Sequence, residues 1–316
     1  MRKLVLALLL AAPGCTSPAP PVVAPAAPTP ESRALAFLAR EVQSWPVENK
    51  CFSCHNNGDG ARALYAAVRL QLPVPSETLA ATNRWLAKPD TWHINGGDVD
   101  FKDEGLSRIQ FAAALLAAHD SGQVSNRAAL VQAAELVAAG QSAAGCWQGE
   151  FPGDVGSPVT YGAALATAQA RHVLRSVDAP AYAKQIALGE AWLLAAPVAR
   201  VVDAAAVLLG LGGATGESAA QKRRECLETI RKGQGSDGGW GPFVNAPAEV
   251  FDTALVLLAL QGQNTAEMRQ RGRSYLIAQQ QEDGSWTETT RPTGGESYAQ
   301  RLSTTGWATL ALLATK

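Results

Sequence analysis

Apolar positions recur along this chain in two alternating rhythms. Some segments carry a single apolar stripe: Ala219, Cys226, Leu227 and Ile230 fall on one helical face, while Lys222, Arg223, Glu225 and Lys232 fall on the other. Other segments are apolar nearly all round, such as Asp252-Thr253-Ala254-Leu255-Val256-Leu257-Leu258-Ala259-Leu260, and likewise residues 109–118, 159–170, 201–211 and 305–313. A helix with a polar face lies outside, and one apolar on every side must be buried. The alternation predicts helical hairpins, each pairing an outer helix with an inner one.

Between the two helices of a pair stands a recurring signature. Gln141 to Trp147, Gln234 to Trp240 and Gln280 to Trp286 all read Q-x-x-x-G-x-W, and the last two share the fuller Q-x-x-D-G-x-W. They are spaced 93 and 46 residues apart, two periods and one. The same period reaches back to Asn95-Gly96-Gly97 and Asn49-Lys50-Cys51, and leaves a degenerate slot near residue 187. Six slots fill residues 33–316. The expected fold is all-α, an α/α toroid of about six helical hairpins with inner and outer rings; an open solenoid of the same hairpins is the alternative. Within the signature, Gly permits a tight turn, Trp covers the apolar layer and Asp can cap a helix.

These signatures resemble the QW repeats of squalene-hopene cyclases and the related repeats of prenyltransferase β subunits. The resemblance covers most of the chain and implies that Gln and Trp lock each loop against the next repeat. The cyclases of that family protonate substrate with a D-x-D-D cluster leading an inner helix in the C-terminal part. Here Asp252 and Asp203 stand alone, and Asp98-Val99-Asp100 lacks the third acid and lies in the second repeat. A lone Asp at a helix start reads first as an N-cap. The Asp, Cys and His zinc ligands of the prenyltransferases have no counterparts. Carbocation chemistry also needs aromatic walls. This chain is 6% aromatic, and four of its eight Trp (Trp92, Trp147, Trp240, Trp286) fall in signature loops or their equivalents. A working cyclase is not expected; Asp252 and Asp203 are the catalytic candidates if there is one.

Composition changes the picture little. The chain has 316 residues, is 47% hydrophobic and carries a net charge of −1. No basic excess exists to neutralise nucleic-acid phosphates. The N-terminus adds a location. Arg2 and Lys3 precede the apolar Leu4 to Ala12, too short to span a bilayer. Ala12-Pro13-Gly14-Cys15 resembles a bacterial lipoprotein signal, with Ala12 where leucine is usual; a plain secretory signal is the alternative. That resemblance implies lipidation of Cys15 after removal of the signal at 1–15. Thr16 after the cysteine then directs the protein to the outer membrane, facing the periplasm. Residues 16–32, rich in Pro and Ala, form an extended tether.

Cys51-Phe52-Ser53-Cys54-His55 is a C-x-x-C-H, the attachment signature of c-type haem. Two thiols add to the two vinyl groups, and the adjacent His55 becomes the proximal iron ligand. Haem c is attached outside the cytoplasm, which agrees with the signal. Two other readings stand: a redox-active disulfide, and a zinc site of Cys51, Cys54, His55 and His93. Met268 is the only methionine beyond the initiator and lies in the sixth repeat, so the second axial ligand is His93, His119 or His172, or the iron is five-coordinate. His93, in the adjacent repeat's loop, is the choice. The period puts the C-x-x-C-H in the first repeat's signature loop.

Asp98, Asp100, Asp103 and Glu104 crowd one loop without the spacing of an EF-hand and read as solvated. Cys146 and Cys226 read as buried free thiols. The expected function is an exported, lipid-anchored c-type haem protein on a toroid, transferring electrons to a partner protein or sensing a redox state or ligand. The alternatives are a binding scaffold for a hydrophobic small molecule or a protein, and a cyclase-like enzyme lacking D-x-D-D.

Overall fold

The computed structural model describes residues 27–95, 103–148, 155–291 and 294–316. Cys15, Asp98 and Asp100 lie outside the described residues. The outer helices are α1 (Pro30–Asn49), α3 (Ala80–Leu86), α5 (Arg127–Ala139), α7 (Ala183–Ala195), α9 (Glu217–Gly233) and α11 (Ala266–Ala278). They alternate with the inner helices α2 (Ala61–Arg69), α4 (Glu104–Asp120), α6 (Gly162–Asp178), α8 (Val201–Gly210), α10 (Val250–Ala259) and α12 (Tyr298–Ala314). A π-helical turn, Cys54–Gly60, leads directly into α2.

The burial pattern follows the two rhythms. In α10 nine residues, including Asp252, are buried, whereas α9 buries only Ala219, Cys226, Ile230 and Gly233. The inner helices touch in the order α2, α4, α6, α8, α10, α12, and α12 returns to α2. The inner ring is therefore closed, and an open solenoid is excluded. Aromatic side chains pack between the inner elements: Trp307 of α12 meets Tyr161 edge-on at 5.6 Å and Phe251 at 5.9 Å.

The signature loops stitch the outer ring. Each Trp indole donates to a carbonyl of its own outer helix: Trp147 to Val137 (2.6 Å), Trp240 to Ile230 (2.8 Å) and Trp286 to Leu276 (2.7 Å). Each Gln amide bridges its own loop glycine and the next outer helix. Gln141 donates to Gly145 O and Gln185 O, and Gln234 to Gly238 O and Met268 O. Gln280 donates to Gly284 O at 3.0 Å and to Pro30 O at 2.8 Å. The sixth repeat is thus tied to the first, the same lock now closing the ring.

Gly284 has φ +92, and a Cβ placed there would sit 2.3 Å from Arg33 O. Gly262, at φ +74, has nothing within 4 Å. Both substitutions to alanine bear the left-handed penalty of about 1–2 kcal/mol, and Gly284→Ala adds a clash with the α1 backbone. Urea unfolding should show Gly284→Ala about 2 kcal/mol less stable than Gly262→Ala; equal midpoints would mean that the α11–α1 lock does not hold the ring.

Of two placements drawn from the repeat period, one is corrected. The slot near residue 187 falls inside α7, and the connection to α8 lies at 196–200. This repeat has no signature loop, so counting by the mean period lands in the helix. The other is met in part: Cys51 to Ser53 lie in the first repeat's outer-to-inner connection, the slot the signature loops fill, and the motif then runs on into the inner element. Only residues 50–53 separate α1 from the π-turn, and Cys54 and His55 are the first residues of the inner element.

Candidate functional site

Lys50, at φ 55, ends α1 with a left-handed turn. Cys51 and Phe52 follow, and the Ser53 side chain caps the π-turn by accepting from the backbone N–H of His55 (3.1 Å) and Asn56 (3.4 Å). Asn95 clasps this loop from the second repeat: its Oδ1 accepts from Phe52 N at 2.8 Å, and its Nδ2 donates to Phe52 O. The Phe52 ring stacks on Trp85 at 4.7 Å. Beneath, Asn56 and Asn57 are fully buried. Asn57 donates to Val42 O and Thr82 Oγ1, and Asn56 to Glu41 O and the Tyr298 hydroxyl. The attachment loop is therefore fixed from α1, from the second repeat and from α12.

His55 belongs to a buried polar network reaching across the ring. Its Nδ1 lies 2.9 Å from Ser303 Oγ of α12, and Ser303 Oγ lies 2.9 Å from Asp59 Oδ2. The fully buried Asp59 also accepts from Gln110 Nε2 of α4 at 2.9 Å and from the Tyr161 hydroxyl, and pairs with Arg62 at 3.4 Å. A carboxylate only accepts, so the single Ser303 hydrogen goes to Asp59, and Ser303 Oγ accepts from His55 Nδ1–H. That fixes the tautomer and leaves a lone pair on His55 Nε2, facing away from Ser303. Burial lowers the His55 pKa, with Asp59 opposing, and favours the neutral ring.

The two cysteines are free. Burial, reinforced by Asp59, pushes the Cys54 thiol up to about 12. Among the described residues no three His, Cys, Asp or Glu side chains converge on a point that could hold a metal ion. For a haem the requirements differ: two thiols on one short turn, and an imidazole with a free nitrogen held in orientation by its other N–H. Those features fit.

Of the expected second ligands, His93 is at this end of the ring. It is exposed on the 3₁₀ turn Pro89–Ile94, two residues before the Asn95 that grips Phe52. His119 is at the far end of α4, beside Asp120, and His172 lies along α6 in a cavity with Arg69 and Asp120. Met268 is on α11, where its carbonyl receives Gln234.

Asp252 and Asp203 are not N-caps; neither side chain caps its helix. Fully buried Asp252 receives both arms of Arg291, at 2.8 and 3.2 Å, and burial holds its carboxyl up to about 7 against the pull of that cation. Arg291 also meets Glu249 at 2.7 Å and donates to Gly156 O at 2.9 Å. Asp203 pairs with Arg200, and burial raises its pKa. Asp103 is a true N-cap, accepting from Leu106 N at 2.9 Å, and Glu104 pairs with Arg108. Cys146 and Cys226 are buried and free.

The sequence reading did not single out Asp59, Ser303, Tyr161, Gln110 or Arg291. A signal for Asp59 exists: His55-Asn56-Asn57-Gly58-Asp59 is an unbroken run without an apolar side chain at the head of an inner element.

No protein-family model and no curated protein matches this chain. Solved structures do match in shape. The type II terpene cyclase MstE from Scytonema, without ligand, aligns with a TM-score of 0.59 at 14% identity, over 90% of this chain and 96% of that one. A protein from Actinoplanes aligns with a TM-score of 0.57 at 18% identity, over 90% and 98%. A variant of MstE in complex with geranylgeranyl dihydroxybenzoate, its substrate, aligns with a TM-score of 0.57 at 13% identity. At these identities the likeness is one of fold: this chain has the helical toroid of the terpene cyclases.

Proposed function

We propose that the chain is a c-type haem protein that uses a terpene-cyclase-like toroid as scaffold, and that it transfers electrons or senses a redox state or small ligand. The observation that carries this reading is the Asp59–Ser303–His55 relay directly behind a C-x-x-C-H. It gives His55 Nδ1–H to the protein and leaves Nε2 for a metal, the arrangement in which a ligating histidine is oriented by its other nitrogen. Cys51 and Cys54 would take the thioether bonds, His55 would be the proximal ligand, and His93 on the neighbouring turn is the candidate for the other face. When bound, haem c supplies an iron whose potential follows its axial ligands and burial. An exported protein anchored through Cys15 in the outer membrane, meeting a redox partner in the periplasm, is part of the same proposal.

Recording the visible spectrum of denatured protein, after expression with a haem c maturation system, tests this. A covalently held chromophore that disappears in Cys51→Ser/Cys54→Ser is expected; a colourless wild-type protein overturns the reading.

The fold likeness favours a second reading, a cyclase-like enzyme or binder of an apolar molecule, in which Asp252, held near neutrality, is the acid. Against it, Asp252 is forked by Arg291, and the buried rings of Trp307, Tyr161 and Phe251 pack on one another. A cyclised product from a geranylgeranyl substrate, detected by mass spectrometry and lost in Asp252→Asn, would establish the second reading.

A further inference from the structure

The two oxygens of the fully buried Asp59 are divided between its partners. Oδ1 meets the Tyr161 hydroxyl and the Arg62 guanidinium, the latter at 3.4 Å. Oδ2 accepts from Gln110 Nε2 and from Ser303 Oγ, each at 2.9 Å. The cation therefore sits on the oxygen that does not serve the histidine, with its guanidinium over the Trp307 ring, 4.9 Å from the ring centre. On the other side a single hydroxyl, the fully buried Ser303 Oγ, stands between Asp59 Oδ2 and His55 Nδ1.

A hydroxyl that donates to a carboxylate becomes a better acceptor for the next donor, because hydrogen bonds in a chain polarise one another, and a dry interior preserves the effect. Ser303 thus passes part of the Asp59 charge to His55 and draws its Nδ1–H away from the ring, which makes Nε2 a more basic ligand. Acids also set the field at the neighbouring thiol: after burial, Asp59 and Asp103 are the charges that push Cys54 up. A ferric iron carries one more positive charge than a ferrous one, so a more basic ligand and a nearby negative charge both favour the ferric state. We propose that Ser303 is a positioning residue of the c-type haem site, coupling the Asp59 carboxylate to His55 and thereby holding the iron toward its oxidised state. This role rests on the c-type haem reading, since without that group Ser303 has no iron to act on.

The test is a redox titration of the full chain carrying haem, poised by an electrode through soluble mediators and read from the visible spectrum. At the wild-type midpoint, Ser303→Ala should raise the ratio of reduced to oxidised protein by about threefold to tenfold, a tenfold change being 59 mV for a one-electron couple. Ser303→Cys, whose thiol is only a weak hydrogen-bond partner, takes its place if alanine prevents folding or haem attachment, with the same rise expected. Tyr161→Phe disturbs the same buried network from Oδ1, but it leaves the Ser303 bridge and takes a donor from the carboxylate, so its ratio should stay level or fall. A merely structural role for Ser303 would shift unfolding and leave the midpoint alone. A Ser303 variant with a midpoint at or below wild type, or a rise in Tyr161→Phe as large as in Ser303→Ala, overturns the proposal while the haem reading stands. A wild-type protein without covalently held haem overturns both.

Discussion

Replacing Asp59 by alanine should destabilise the toroid by about 3–5 kcal/mol, the range for removing one partner of a buried charged network. The loss comes from what stays behind. Tyr161, Gln110 and Ser303 each aim a donor at the carboxylate, from the segment before α6, from α4 and from α12 in turn, and Arg62 adds a charge. An alanine leaves all of them facing an apolar interior, where an unmet hydrogen bond costs about 1–3 kcal/mol. Tyr161→Phe removes one donor and leaves Asp59 with the others, so about 1 kcal/mol is expected. Urea unfolding measures both; an Asp59→Ala protein within 1 kcal/mol of wild type would show that the network is not load-sharing.

The same substitution should act on His55. With Asp59 gone, Ser303 is free to donate its hydrogen to His55 Nδ1, and the ring can carry its proton on Nε2 instead. In wild type the ¹⁵N shifts of the His55 ring in the protein without cofactor should mark Nδ1–H and a bare Nε2; in Asp59→Ala the two tautomers should mix. A group 0% exposed and four residues along the chain thus sets which histidine nitrogen is offered outward. Stability of the ring and preparation of the site depend on one side chain.

The toroid was legible because its causes are local. Gln, Gly and Trp at fixed spacing make the same turn each time, and the all-apolar inner segments have nowhere to go but the core. Where a local cause is missing the period misleads. The repeat at 183–210 has lost its signature, so residue 187 reads as a loop and is in α7. The first repeat has its connection cut to four residues, so the C-x-x-C-H starts in that connection and ends on the π-turn that leads into the inner helix. The cysteine motif itself was visible, being contiguous. Its support was not: Asp59 meets Gln110, Tyr161 and Ser303 at separations of 51, 102 and 244 residues, and only ring closure brings them together. Asp252 reads from sequence as a helix-start acid, a cap first and a catalytic candidate second, because its partner Arg291 comes from the loop after the last signature, 39 residues away.

Removing that arginine should cost more as the pH rises. Asp252 has a folded pKa of about 7, raised from the usual carboxylate value by burial, with Arg291 the counterweight. A carboxyl whose pKa is raised by folding favours the native state at low pH and loses that contribution as the pH climbs from the unfolded value to the folded one. In wild type the loss is complete near pH 7. In Arg291→Ala the folded pKa moves higher still, so the loss continues beyond pH 7 at about 1.4 kcal/mol per pH unit. The gap between variant and wild type should therefore widen by up to about 1.4 kcal/mol between pH 6 and pH 8, because wild type stops losing stability near pH 7 while the variant, its carboxyl still protonated, goes on losing it. Adding Asp252→Asn should abolish the extra loss above pH 7 while leaving the cost of the broken Gly156 contact. Thermal unfolding of the single and double variants from pH 6 to 8 decides this. A gap between Arg291→Ala and wild type that does not widen with pH would mean that Asp252 is ionised without Arg291's help, and the second functional reading would then lose its proton donor as well.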